Sequence, residues 1–185
     1  MSKKFALVGS AKVGKTIILE ELKKIFSNDP KVAFVEEAAR DLILDLKPKT
    51  HFTFKFQSQI QDEVLRREKA VQNYPIIICD RSVIDAVIYC QALGLEEEAK
   101  RLYEKVKNRL PTYTKFFLLD ISGIPLEKDN VRTDQSVFRK KAQQLFLKFL
   151  KKENLPFSLI KGTEKRRLRR ILKEMGFNFQ EYDSS

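Results

Sequence analysis

The sequence predicts an α/β fold of three layers, with a five-stranded parallel sheet held between helices. Two observations carry that expectation. Five runs of strand length, Phe5–Val8, Val32–Val35, Ile76–Cys79, Phe116–Leu119 and Phe157–Ile160, are apolar almost throughout, the pattern of strands buried on both faces. Longer stretches with 3.6-residue periodicity separate them, so strand and helix alternate along the chain. The length of 185 residues, with 43% hydrophobic and 33% charged, is enough for one core and argues against disorder.

Taken in order, the first strand runs into Gly9 and then into a helix whose apolar positions are Ile17, Leu19, Leu22 and Ile25. The second strand ends in Glu36-Glu37-Ala38-Ala39-Arg40, which opens the next helix. Lys47–Lys55 breaks the periodicity and reads as a loop. Phe56, Ile60 and Val64 then form a stripe four residues apart. The third strand delivers Asp80-Arg81-Ser82, with a helix starting near Ser82. After the fourth strand, Ser122–Thr133 reads as a second loop, and the fifth strand leads into Gly162-Thr163. Leu168, Ile171, Leu172 and Met175 follow i, i+3, i+4, i+7, which puts the cations of Lys165-Arg166-Arg167-Leu168-Arg169-Arg170 on the opposite, solvated face, or against nucleic acid. Residues 1–182 read as a single domain and Asp183-Ser184-Ser185 as a frayed tail.

Composition excludes several classes. No apolar run approaches the ~20 residues of a membrane-spanning helix, and the stretch after Met1-Ser2-Lys3-Lys4 is too short for the core of a signal peptide. Cys79 and Cys90 have no metal-ligand spacing, which leads to the expectation of a reducing, cytoplasmic setting. His51 is the only histidine, so a histidine-rich zinc site is out. The formal charge of +11, from 36 Lys and Arg against 25 Asp and Glu, would attract nucleotides, nucleic acid or anionic membranes alike. It fits equally a Lys- and Glu-rich solvated surface.

Gly9-Ser10-Ala11-Lys12-Val13-Gly14-Lys15-Thr16 matches G-x-x-x-x-G-K-[ST] in the required context, after an apolar strand and opening a helix. Such a loop wraps phosphates with its own N–H groups, and glycines allow the close approach that a Cβ would block. The helix N-terminus adds partial positive charge. In this pattern Lys15 reaches the β- and γ-phosphates, and the Thr16 hydroxyl ligates Mg²⁺.

A phosphate loop needs a carboxylate near the metal, at the end of a neighbouring buried strand. Asp80 stands at such an end and is the candidate for the Mg²⁺ shell; the alternative is that it caps the helix near Ser82. Arg81 is placed to touch an anionic or hydroxylated substrate. Glu37 and Arg40 share a helix face, which suits a base with an arginine alongside, or else an acidic first turn favouring the helix dipole. Gln57 and Gln61 sit at the rim of the Phe56 stripe, where an amide could read a substrate ring or simply face solvent.

These segments together, Gly9–Thr16, Val35–Arg40 and Asp80–Ser82, resemble the P-loop nucleoside and nucleotide kinases. Within that assemblage they are most similar to AAA-type ATPase domains akin to the ribosylnicotinamide kinase domain of the NAD-biosynthesis regulator. The resemblance runs from about Lys4 to Arg170. It implies the sheet order 2-3-1-4-5, ATP and Mg²⁺ as cofactors, and transfer of the γ-phosphoryl group to a small nucleoside- or nucleotide-like acceptor. Asp129-Asn130-Val131-Arg132-Thr133 resembles the family's D-G-x-R lid, with Asn130 departing from Gly. By that resemblance Arg132 stabilises charge on the transferring group, with Arg139 two turns later able to join it. Gly162 would approach the adenine, and Gln57 the acceptor. A regulatory ATPase without an acceptor and a nucleic-acid-binding or end-phosphorylating protein remain the alternatives. A GTPase is disfavoured by the lack of an N-K-x-D segment.

Overall fold

The five apolar runs form strands β1 (Lys3–Val8), β2 (Val32–Val35), β3 (Ile76–Asp80), β4 (Lys115–Leu119) and β5 (Phe157–Ile160) in the computed structural model, which describes residues 2–39, 53–122 and 133–177. Every neighbouring pair is parallel and the order is β2-β3-β1-β4-β5, as the resemblance implied. Parallel neighbours need crossovers, and helices supply them. Among the described residues these are α1 (Lys15–Ile25), α2 (Phe54–Ala70), α3 (Asp85–Ala92), α4 (Glu96–Val106), α5 (Thr133–Lys152) and α6 (Glu164–Met175), with a 3₁₀ turn at Lys107–Thr112.

Residues along each strand point alternately to two cores. Ala6, Val8, Ile77, Cys79, Phe116 and Leu118 pack with Phe56, Ile60 and Val64 of α2, Val87 and Ile88 of α3, Leu102 of α4 and Phe146 of α5. Phe5, Leu7, Ile78, Phe117 and Leu119 face α1 and α6, through Ile18, Leu19 and Leu22 and through Leu168, Ile171, Leu172 and Met175. Helices cover both faces of the sheet, so the fold is a three-layer α/β arrangement.

Two boundaries differ from the sequence reading. In α1 the buried position is Ile18, while Ile17 is 48% exposed. The helix expected near Ser82 starts at Asp85, because Asp85 Oδ2 accepts from the Ser82 N–H at 2.8 Å and from its hydroxyl at 2.9 Å, holding a turn there first. Arg40, His51, the Asp129–Arg132 lid, most of both expected loops and the terminal Asp183–Ser185 lie outside the described residues.

One polar cluster crosses the layers. Lys4 on β1 is buried against Glu68 of α2 at 2.6 Å, and its ammonium lies 4.2 Å from the centre of the Tyr113 ring. The Tyr113 hydroxyl donates to Glu68 and accepts from the Val83 N–H at 3.2 Å. Burial and the neighbouring Glu68 push the Tyr113 hydroxyl well above its usual pKa, so it stays a donor.

Candidate active site

The loop after β1 is shaped by its two glycines. Gly9 has φ +134°, and a Cβ there would lie 3.0 Å from the Leu119 carbonyl at the end of β4. Only glycine lets the chain pass so close. Gly14, at φ +87°, is the left-handed residue that starts α1, with nothing within 4 Å of where its Cβ would be. No acidic residue occupies the first turn of α1, which leaves the positive end of its dipole open to an anion. Lys15 is 5% exposed and its ammonium donates to the carbonyls of Gly9 at 3.0 Å and Ser10 at 2.8 Å. Burial first, then the charge of Arg81, lowers its pKa to about 8.

The carboxylates arrive from strand ends. The β1–β3 register sets Leu7 beside Asp80, and Asp80 Oδ2 accepts from the Thr16 hydroxyl at 3.2 Å. Its other oxygen, Oδ1, is buried with no hydrogen-bond partner among the described residues. Burial raises the Asp80 pKa, with Lys15 pulling the other way. Asp80 therefore faces the loop and caps no helix. Arg81 follows at φ +79°, its N–H bonded to the Leu7 carbonyl at 3.0 Å. Its guanidinium meets Glu37 at 2.5 Å, the Tyr89 hydroxyl at 3.3 Å and Asp85 at 3.5 Å. Glu36, one residue earlier, turns outward to pair with Lys23. A cavity of about 420 Å³ results, lined by Lys12–Ile17 together with Glu37 and Arg81. The exposed Ile17 is part of that wall.

Three sequence expectations change here. Gln57 and Gln61 are 5% and 1% exposed rather than at a solvated rim. Gln61 donates to the carbonyls of Val83 at 3.0 Å and Leu102 at 3.3 Å, so it ties α2 to its neighbours. Arg167 does not share the solvated face of α6. It is 3% exposed, and it donates to the carbonyls of Gly162 at 2.8 Å, Val13 at 2.8 Å and Asp120 at 2.9 Å. It stands four residues before Ile171, a spacing that the buried stripe itself contained. Arg139 of α5 is 7% exposed and donates to the carbonyl of Lys12 at 3.2 Å.

The donor set suits Mg²⁺. Thr16 and Asp80 offer hard oxygens, and the buried, unpartnered Asp80 Oδ1 is an acceptor that a cation would satisfy. Such sites take few protein ligands and complete the shell with phosphate and water.

The family model described as AAA domain matches residues 4–167. No curated protein matches the sequence. Among solved structures, the NadR protein in complex with NR is similar at a TM-score of 0.69 and 16% identity, over 96% of this chain. This chain spans 50% of that one. The thymidylate kinase from Ehrlichia chaffeensis is similar at a TM-score of 0.64 and 15% identity, over 95% of this chain and 99% of that chain. Both likenesses are of fold.

Proposed function

The chain belongs to the AAA domain family, and from that premise we propose that it binds ATP at Gly9–Thr16 and transfers the γ-phosphoryl group to a small nucleoside- or nucleotide-like acceptor. The observation that carries this reading is the shared cavity. Glu37 and Arg81, distant in sequence, line the same space as the phosphate loop. A loop that only bound nucleotide would need neither.

Lys15 exchanges the loop carbonyls for phosphate oxygens when the triphosphate enters. Thr16 and Asp80 would hold Mg²⁺, which when bound would neutralise charge on the phosphates. Glu37 accepts the proton of the acceptor hydroxyl as the new oxygen–phosphorus bond forms and ADP leaves. Arg81, already at 2.5 Å from Glu37, orients that carboxylate and presents charge to an anionic or hydroxylated acceptor. Arg132, by the family resemblance, adds charge stabilisation, and Arg40, by its spacing from Glu37, acceptor contact. Gln57 and Gly162 serve the acceptor and adenine ends. Residues 1–182 act as one domain.

The test is a panel of nucleosides, ribosylnicotinamide and nucleotides, scored for ATP consumption above the rate with water alone. At least one acceptor is expected to raise consumption. If none does while slow hydrolysis persists, the chain is a regulatory ATPase. With Arg167 turned inward, the nucleic-acid alternative rests on surface charge alone.

A further inference from the structure

Two arginines that lie outside the lining of the cavity converge on consecutive peptide groups of the phosphate loop. Arg139 Nη2, from α5, donates to the carbonyl of Lys12 at 3.2 Å. Arg167 Nη1, from α6, donates to the carbonyl of Val13 at 2.8 Å. Only Arg167 is fixed from behind; the Nε of Arg139 is buried with no hydrogen-bond partner among the described residues. Arg167 also grips the carbonyls of Gly162 and Asp120, at 2.8 and 2.9 Å. One turn after Arg139, Gln143 binds the Leu119 carbonyl at 3.1 Å.

The arrangement is costly for stability alone. Burial disfavours the charge of both guanidiniums; the charge of Arg167 adds to this at Arg139, while Asp120 and Glu164 partly offset it at Arg167. Neutral carbonyls compensate a buried cation less well than a carboxylate does. What the pair achieves is orientation. In a trans peptide the C=O and N–H point in opposite directions. An arginine holding the Lys12 carbonyl therefore fixes the Val13 N–H on the other side, and one holding the Val13 carbonyl fixes the Gly14 N–H. A carbonyl bonded to a cation also polarises its amide and strengthens the donor. Among the described residues no backbone hydrogen bond engages either N–H, and both residues line the cavity.

We propose that Arg139 and Arg167 are positioning residues, braces that hold two loop peptides with the Val13 and Gly14 N–H groups aimed at the phosphates. This rests on the phosphate-binding reading of the loop. It gives Arg139 a part different from the direct phosphate contact that the sequence suggested.

The test uses the full chain with Arg139→Lys and Arg167→Lys, which keep the charge and lose the planar fork. Binding of inorganic tripolyphosphate and of ATP is measured by calorimetry, and backbone amide resonances are followed by NMR without ligand. Tripolyphosphate affinity should fall about tenfold in each variant, with ATP falling by the same factor. The Val13 amide should move most in Arg139→Lys and the Gly14 amide most in Arg167→Lys. If Arg167→Lys does not fold, Arg139→Lys carries the same two readouts. A loss confined to ATP would mean direct contact with the nucleoside half and would overturn the proposal, as would wild-type affinity for both ligands in folded variants. Wild-type protein that binds neither ligand would instead overturn the phosphate-loop reading, and the braces with it.

Discussion

Lys15 is stored against the loop it belongs to, its ammonium on two carbonyls of that loop and its pKa lowered by burial to about 8. In the proposed reaction phosphate oxygens replace those carbonyls, and their negative charge raises the lysine pKa. The free lysine loses its proton as pH rises through about 8, whereas the bound one keeps it. ATP affinity should therefore be highest below that pH and fall above it, with proton uptake on binding near pH 9. Calorimetry in two buffers of different ionisation enthalpy measures the uptake, which should vanish in Lys15→Met along with most of the affinity. Affinity that is flat across this range would argue that Lys15 never meets the phosphates. Lys15, Thr16 and Asp80 were legible in the sequence because the spacing of the loop and the end of a buried strand specify them. The contacts of Arg139 and Arg167 were not, because their partners are backbone carbonyls, and any sequence supplies those.

At the scale of elements, the strands were legible as continuous apolar runs, and the helices less so. The α1 stripe was read through Ile17, which lines the cavity, when Ile18 carries the burial. Periodicity gives a face only to within a residue when a functional wall borrows an apolar side chain. The tie between β1 and α2 left no trace in the pattern either, since Lys4 and Glu68 look like surface residues. Removing one partner strands a buried charge, so Lys4→Met should cost about 3–5 kcal/mol in urea unfolding. Lys4→Met with Glu68→Gln should recover most of that, because the amide still accepts from Tyr113. A single-variant cost under about 1 kcal/mol would mean the pair is solvated in practice.

For the whole molecule, the parallel sheet is what assembles the site. Gly9 and Glu37 follow the carboxyl ends of β1 and β2, Asp80 is the last residue of β3, and the order β2-β3-β1 sets those ends side by side. Neither periodicity nor the +11 charge could reveal that order; the resemblance carried by the motifs did. The net charge draws polyanions of every kind and so identifies no partner. The central claim is phosphoryl transfer with Glu37 as the base, and transfer of γ-labelled phosphate from ATP tests it most directly, in wild-type protein and in Glu37→Gln, across the acceptor panel. The label should appear on an acceptor, and Glu37→Gln should slow that step by about 10²–10⁴-fold with ATP affinity unchanged. Label found only in inorganic phosphate, at a rate indifferent to every acceptor and to Glu37→Gln, would contradict it.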